Sequence, residues 1–142
     1  MSEDKENTEK TLIEYEYLRG QVEALQEGIA LIDASILQID TTIWALNGAG
    51  SLDKDNVILL PVGSESFLSA RITDTKNAIV GIGADVAVKK TIKEAITDLE
   101  GRKKDLENLR KERTEALEKA AKIAQDLAPK LQEILAKAQK EG

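Results

Sequence analysis

The sequence predicts an α+β chain, a long antiparallel coiled-coil helical hairpin with two β-hairpins at its closed end. Three observations carry that prediction. An unbroken alternation of three- and four-residue apolar steps fills the first third of the chain. A second such pattern fills the last third, opened by a helix-start signal. Between them lie short β-branched runs separated by turn residues.

The first helix is expected over about residues 8–47. From Tyr15 the frame runs Leu18, Val22, Leu25, Ile29, Ile32, Ile36, Ile39, Ile43 and Leu46, apolar at every position. A repeat sustained over that many heptads is a coiled-coil seam rather than the stripe of a globular helix. Gly20 and Gly28 fall off the seam, and each costs about 1 kcal/mol of helix relative to Ala. Asn47-Gly48-Ala49-Gly50 suits a cap and a turn.

The middle, about residues 57–89, reads as two β-hairpins. Val57-Ile58-Leu59-Leu60-Pro61-Val62 and Phe67–Ile72 flank the turn Gly63-Ser64-Glu65-Ser66. Leu68, Ala70 and Ile72 share one face. After a turn at Asp74-Thr75-Lys76-Asn77, Ala78–Ile82 and Asp85–Val88 flank Gly83-Ala84. Pro61 confines its strand to an edge or an end. Isolated hairpins are marginal in water, so these strands are expected to pair with other subunits. The apolar residues that would do so are Val57, Ile58, Leu60, Val62, Phe67, Leu68, Ile72, Ile79, Val80, Ile82, Val86 and Val88.

The last helix is expected over about residues 91–140. Thr91-Ile92-Lys93-Glu94 is a capping box. The frame then runs Ile92, Ile96, Leu99, Lys103, Leu106, Arg110, Arg113, Leu117, Ala120, Ala124, Leu127, Leu131, Ile134 and Ala138. Lys103, Arg110 and Arg113 would lay their methylenes along the seam and keep their heads in water. Pro129 should kink or end the helix near Ala128. Residues 1–90 carry 8 basic and 15 acidic side chains and residues 91–142 carry 12 and 11, which favours pairing of the two helices.

Composition narrows the chemistry. With no His and no Cys there is no Ser-His-Asp or Cys-His pair and no thiolate or imidazole ligand for zinc. No catalytic residue, metal site or cofactor is expected. Aromatic residues are 3% of the chain and the net charge is −6, which argues against nucleic acid. The start Met1-Ser2-Glu3-Asp4-Lys5-Glu6 does not read as a signal peptide, and no uninterrupted run of about 20 apolar residues suggests a membrane span. A soluble, cytoplasmic protein is the expectation. Gly81-Ile82-Gly83 opens like a dinucleotide fingerprint but has Val86 at the sixth position and leads into a strand. Asp53-Lys54-Asp55-Asn56 opens like a calcium loop, but the ligand spacing then fails at Val57 and Ile58. Glu14, Glu16, Glu23 and Glu27 form a solvated face, and Arg102-Lys103-Lys104 reads as surface charge.

The open end of the coil draws attention for another reason. Leu12, Ile13, Tyr15 and Tyr17 should sit near Leu127, Leu131, Ile134 and Leu135. Leu12, Ile13, Tyr17 and Leu135 lie off the frame, so one seam cannot bury them all. Exposed apolar side chains there would bind unfolded chains by area burial, about 25 cal/mol per Å². Several such tips would add avidity.

Helix, two β-hairpins, helix resembles the α-type subunit of the prefoldin family. Leu59-Leu60-Pro61-Val62-Gly63-Ser64-Glu65-Ser66-Phe67 and Ile79-Val80-Gly81-Ile82-Gly83-Ala84-Asp85-Val86-Ala87-Val88-Lys89-Lys90 are similar to the two hairpins of archaeal α subunits. Motif likeness covers about residues 57–96, and the architecture covers residues 1–142 as a single subunit. β-type subunits carry one hairpin, so two point to the α class. The resemblance implies a hetero-hexamer of two α and four β-type subunits, built on a β-barrel platform. It implies an ATP-independent holdase that binds non-native proteins at the coil tips and passes them to a group II chaperonin. A filament-forming structural prefoldin-like subunit is the alternative, and an adaptor for one partner a further one.

Overall fold

In a computed structural model, which describes residues 2–141, the order is α1 (Ser2–Gly50), β1 (Val57–Gly63), β2 (Ser66–Arg71), β3 (Asn77–Gly83), β4 (Val86–Thr91) and α2 (Ile92–Glu141). The expected ends of the chain, Met1 and Gly142, lie outside the described residues. The chain divides into two compact units, residues 1–34 with 106–142, and residues 35–105.

The first unit is a pair of helical segments. Every expected seam position of α1 within it, from Tyr15 to Ile32, is half-buried or buried, and Thr8 and Thr11 extend the row toward the N-terminus. From α2, Ala120, Ala124 and Leu131 are buried against them. The segments are antiparallel, since Asp33 meets Arg110 near one end while Tyr15 and Ala128 line one groove near the other. The expected α2 frame needs correction in its middle. Arg110 and Arg113 are exposed, and Leu109 and Thr114 take the packing positions. Arg110 instead reaches Asp33 with Nε donating to Oδ1 at 2.6 Å and the second guanidinium nitrogen to Oδ2 at 3.4 Å. A guanidinium that must span to the opposite helix sits at the seam's flank, which leaves its apolar neighbour to fill the interior. The hydroxyl of Thr114 is buried with no hydrogen-bond partner among the described residues. Such a group costs about 1–3 kcal/mol relative to a paired one.

Pro129 does not end α2, which continues to Glu141. Its ring removes the donor for the Gln125 carbonyl, a loss the buried Ala124 and Leu131 on either side offset. Ala138, placed on the seam by the sequence, is exposed, so packing stops near Ile134.

The second unit holds the end of α1, both hairpins and the start of α2. Helix α1 runs through Asn47-Gly48-Ala49-Gly50, three residues past its expected end. Ala49 is half-buried and continues the seam, and Ser51 N–H closes on the Asn47 carbonyl at 3.2 Å. Lys103 is partly buried as expected, with Nζ 2.7 Å from Asp40 Oδ1 across the helix pair. Thr91 and Glu94 form the reciprocal capping box, with Glu94 N–H donating to Thr91 Oγ1 at 3.1 Å and Thr91 N–H to Glu94 Oε2 at 3.4 Å.

Each hairpin is a separate two-stranded antiparallel sheet. The two are one design used twice. Val57 pairs with Arg71 in the first and Asn77 with Thr91 in the second, and every later pair keeps the same 20-residue offset, bulge included. Ser64-Glu65 and Ala84-Asp85 form two-residue turns with φ of 48° and 60°, and of 49° and 61°. Positive φ at both positions matches the right-handed strand twist. Gly63 and Gly83 precede them at φ 110° and 108°, which only glycine adopts freely, and supply the bulge. Asp85 therefore belongs to the turn rather than to the fourth strand. Asn56 Oδ1 accepts from Asp53 N–H at 2.6 Å, so the calcium-like stretch is a locally closed turn.

Uninterrupted apolar runs are short, but α1 still contains an 18-residue stretch of mean hydropathy 1.4, enough by length and composition to cross a membrane. This qualifies the expectation of no such segment.

Candidate functional site

Two surfaces are positioned by these elements, one in each unit. In the first unit, Tyr15, Arg19, Val22 and Gln26 of α1 face Ala121, Ala124, Gln125 and Ala128 of α2 across an open groove of about 370 Å³. The groove exists because α2 supplies alanines where α1 supplies larger side chains. The Arg19 guanidinium stands 6.0 Å from the centre of the Tyr15 ring.

The eight expected tip residues divide here. Leu131 is 8% exposed and belongs to the seam interior. Tyr15, Leu127 and Ile134 are half-buried in it. Leu12, Ile13, Tyr17 and Leu135 are exposed, Ile13 and Tyr17 at 67% and 65%. The outward four are the residues that fall off the frame, and they are free to meet another chain without opening the coil. Ile123, exposed on α2, is an apolar residue the sequence reading passed over.

In the second unit, the hairpins present apolar residues to solvent. Val57, Leu60, Val62, Phe67, Leu68, Ile79, Ile82 and Val86 are exposed, and Ile58, Ile72, Val80 and Val88 are half-buried. Leu60 opposes Leu68 and Val80 opposes Val88, so each hairpin has one cross-strand aliphatic face. A two-stranded sheet on its own is only marginally stable in water.

Asp74 fixes the link between the hairpins. Its Oδ1 accepts from the N–H of Lys76 at 2.9 Å and of Asn77 at 3.1 Å, and its Oδ2 from Asn77 Nδ2 at 3.1 Å. These donors, with Lys89 Nζ at 3.5 Å, hold its carboxyl down to about 2. The Lys76 carbonyl then accepts from Ile92 N–H at 2.9 Å, tying the link to the first residue of α2.

Sequence reasoning missed a third feature. Leu31, Leu37 and Trp44 are 71%, 67% and 78% exposed on α1. The heptad frame could have found them, because all three fall on positions that face away from the seam.

These features together define a class: two long helices joined by two β-hairpins, with apolar residues exposed on the strands and near the ends of the helices. A family model described as Prefoldin subunit matches residues 18–137. Prefoldin subunit alpha of Methanopyrus kandleri is 37% identical over 80% of this chain and 77% of its own. That of Pyrococcus horikoshii is 32% identical over 94% of this chain and 91% of its own. A cryo-EM structure of filamentous PFD from Methanocaldococcus jannaschii covers 80% of this chain and 94% of its own with a TM-score of 0.71, a likeness of fold at 22% identity. The chain belongs to the prefoldin family of chaperone subunits, in its α class. It is therefore a component of a prefoldin assembly.

Proposed function

We propose that residues 1–142 form a single α-type subunit that holds non-native proteins at the open end of its coil, without nucleotide, and delivers them to a group II chaperonin. Two copies assemble with four β-type subunits through the hairpins. The work takes place in the cytoplasm. The observation that carries this reading is the outward set Leu12, Ile13, Tyr17 and Leu135 at the coil end. Each offers apolar area that folding leaves in water, and burying it against an unfolded chain is favourable at about 25 cal/mol per Å². Six coil ends would multiply such weak contacts.

Deleting residues 1–17 and 127–142 tests the reading. The assembly should keep its stoichiometry by native mass spectrometry, and suppression of thermal aggregation of an unrelated client should be lost. Full suppression by the truncated assembly would overturn the tip mechanism. The filament alternative draws some support from the fold likeness to a filamentous prefoldin. A ladder of homo-oligomers in the same mass spectrum would select it over the closed hexamer.

A further inference from the structure

We infer that the outer face of α1 beside the hairpins, centred on Leu37 and Trp44, is an inter-subunit contact covered by an apolar element of the adjacent prefoldin subunit. On a coiled coil, the positions facing away from the seam meet water and carry charge. The outward positions of α1 carry Glu16, Glu23 and Glu27 as far as residue 27, and no charge from Ala30 and Leu31 onward. In the second unit the same positions are Leu37, Gln38, Thr41, Trp44, Ala45 and Gly48, all exposed and none charged. Thr41 adds little polarity, since its hydroxyl already donates to the Leu37 carbonyl at 2.9 Å. Asp40, on the same stretch of α1, is engaged by Lys103 at 2.7 Å.

Two observations select the occupant. The first is charge. No Lys or Arg occurs between Arg19 and Lys54, while Glu23, Glu27, Asp33, Asp40 and Asp53 do. An acidic segment is repelled by an anionic lipid surface, so the stretch apolar enough for a membrane is better matched by protein. The second is continuity. The face ends at Gly48, and its neighbour Asn47 lines a groove with Thr75, Thr91 and Ile92 at the roots of the hairpins. The face thus ends beside the roots of the hairpins, and an adjacent subunit docked on the hairpins reaches it. This rests on hairpin-mediated assembly but not on client binding at the tips.

Trp44 is the only tryptophan, so the chain carries its own reporter. The full chain alone and in complex with its partner subunits is compared by emission maximum and acrylamide quenching, with a Trp44→Phe complex subtracted to remove partner signal. The expected result is red, readily quenched emission from the chain alone, and a blue shift with at least a threefold loss of quenching on assembly. A Leu37→Lys variant should weaken assembly at least tenfold while leaving helical circular dichroism unchanged. Emission that stays red and quenchable in an assembly of confirmed mass overturns the inference. So does a blue shift that occurs only when unfolded client is added, or only with vesicles of anionic phospholipid.

Discussion

Asp74 shows how a single carboxylate can hold two elements in place. It gathers two backbone donors and one amide, which secure the link between hairpins. Its carboxyl lies near 2 in the folded chain against an ordinary 3.8. The folded state therefore binds its proton less readily than the unfolded one. Its contribution is complete above 3.8 and is lost as the pH falls through about 2. An Asp74→Asn variant, which cannot titrate, should be less stable than the parent by a constant margin at neutral pH. That margin should close between pH 3.8 and about 2, as followed by urea unfolding at stepped pH. A margin independent of pH would mean that the charge on Asp74 does not secure the link. At this scale the sequence was partly legible. The turn at Asp74–Asn77 was visible from residue types, but the donors it collects were not, since they depend on how the strands leave the turn. The exchange of Arg110 for Leu109 was hidden for a similar reason. A periodicity counts positions, whereas the ion pair with Asp33 depends on the distance between two helices.

Among elements, α1 was the most legible, because every seam position from Tyr15 to Leu46 is apolar and no alternative frame competes. What its outer face meets was not legible, because a seam frame reports which residues pack inward and is silent on the partners of the outward ones. In α2 the frame slips where charged residues crowd the middle, and Pro129, expected to kink or end the helix, lies inside it. A proline costs a helix interior about 3 kcal/mol but ends the helix only where nothing else secures it. Here seam residues continue on both sides, at Leu127 and Leu131. Pro129 is itself exposed, so its replacement disturbs no packing. Pro129→Ala should stabilise the chain by about 3 kcal/mol in denaturant unfolding. It should also reduce the aggregation suppression of the assembled protein, if easy distortion of the coil end serves client capture. Gain of stability with unchanged holding would assign Pro129 no role in the tip.

At the scale of the whole molecule, the strands leave large apolar side chains in water. Their existence, turns and pairing were legible from β-branched runs and glycine positions. What would cover them was not, because a contact with another chain leaves no pattern in this sequence. Ile79 isolates that question. It is 80% exposed on β3, and its cross-strand partner is Lys89. Replacing it with Asp places opposite charges across the strands, which the isolated chain tolerates or favours slightly. Exposed substitutions of this kind normally change stability by less than about 0.5 kcal/mol. In an assembly that buries β3, the same carboxylate loses water, and an unpaired buried charge is strongly unfavourable. Ile79→Asp should therefore leave the helical circular dichroism and thermal midpoint of the isolated chain unchanged, yet shift native mass spectra from the full assembly to free subunits. An assembly of full mass would place β3 outside the interface. The first hairpin alone would then carry subunit contacts, and the second, with its matching register, would be left for a different partner.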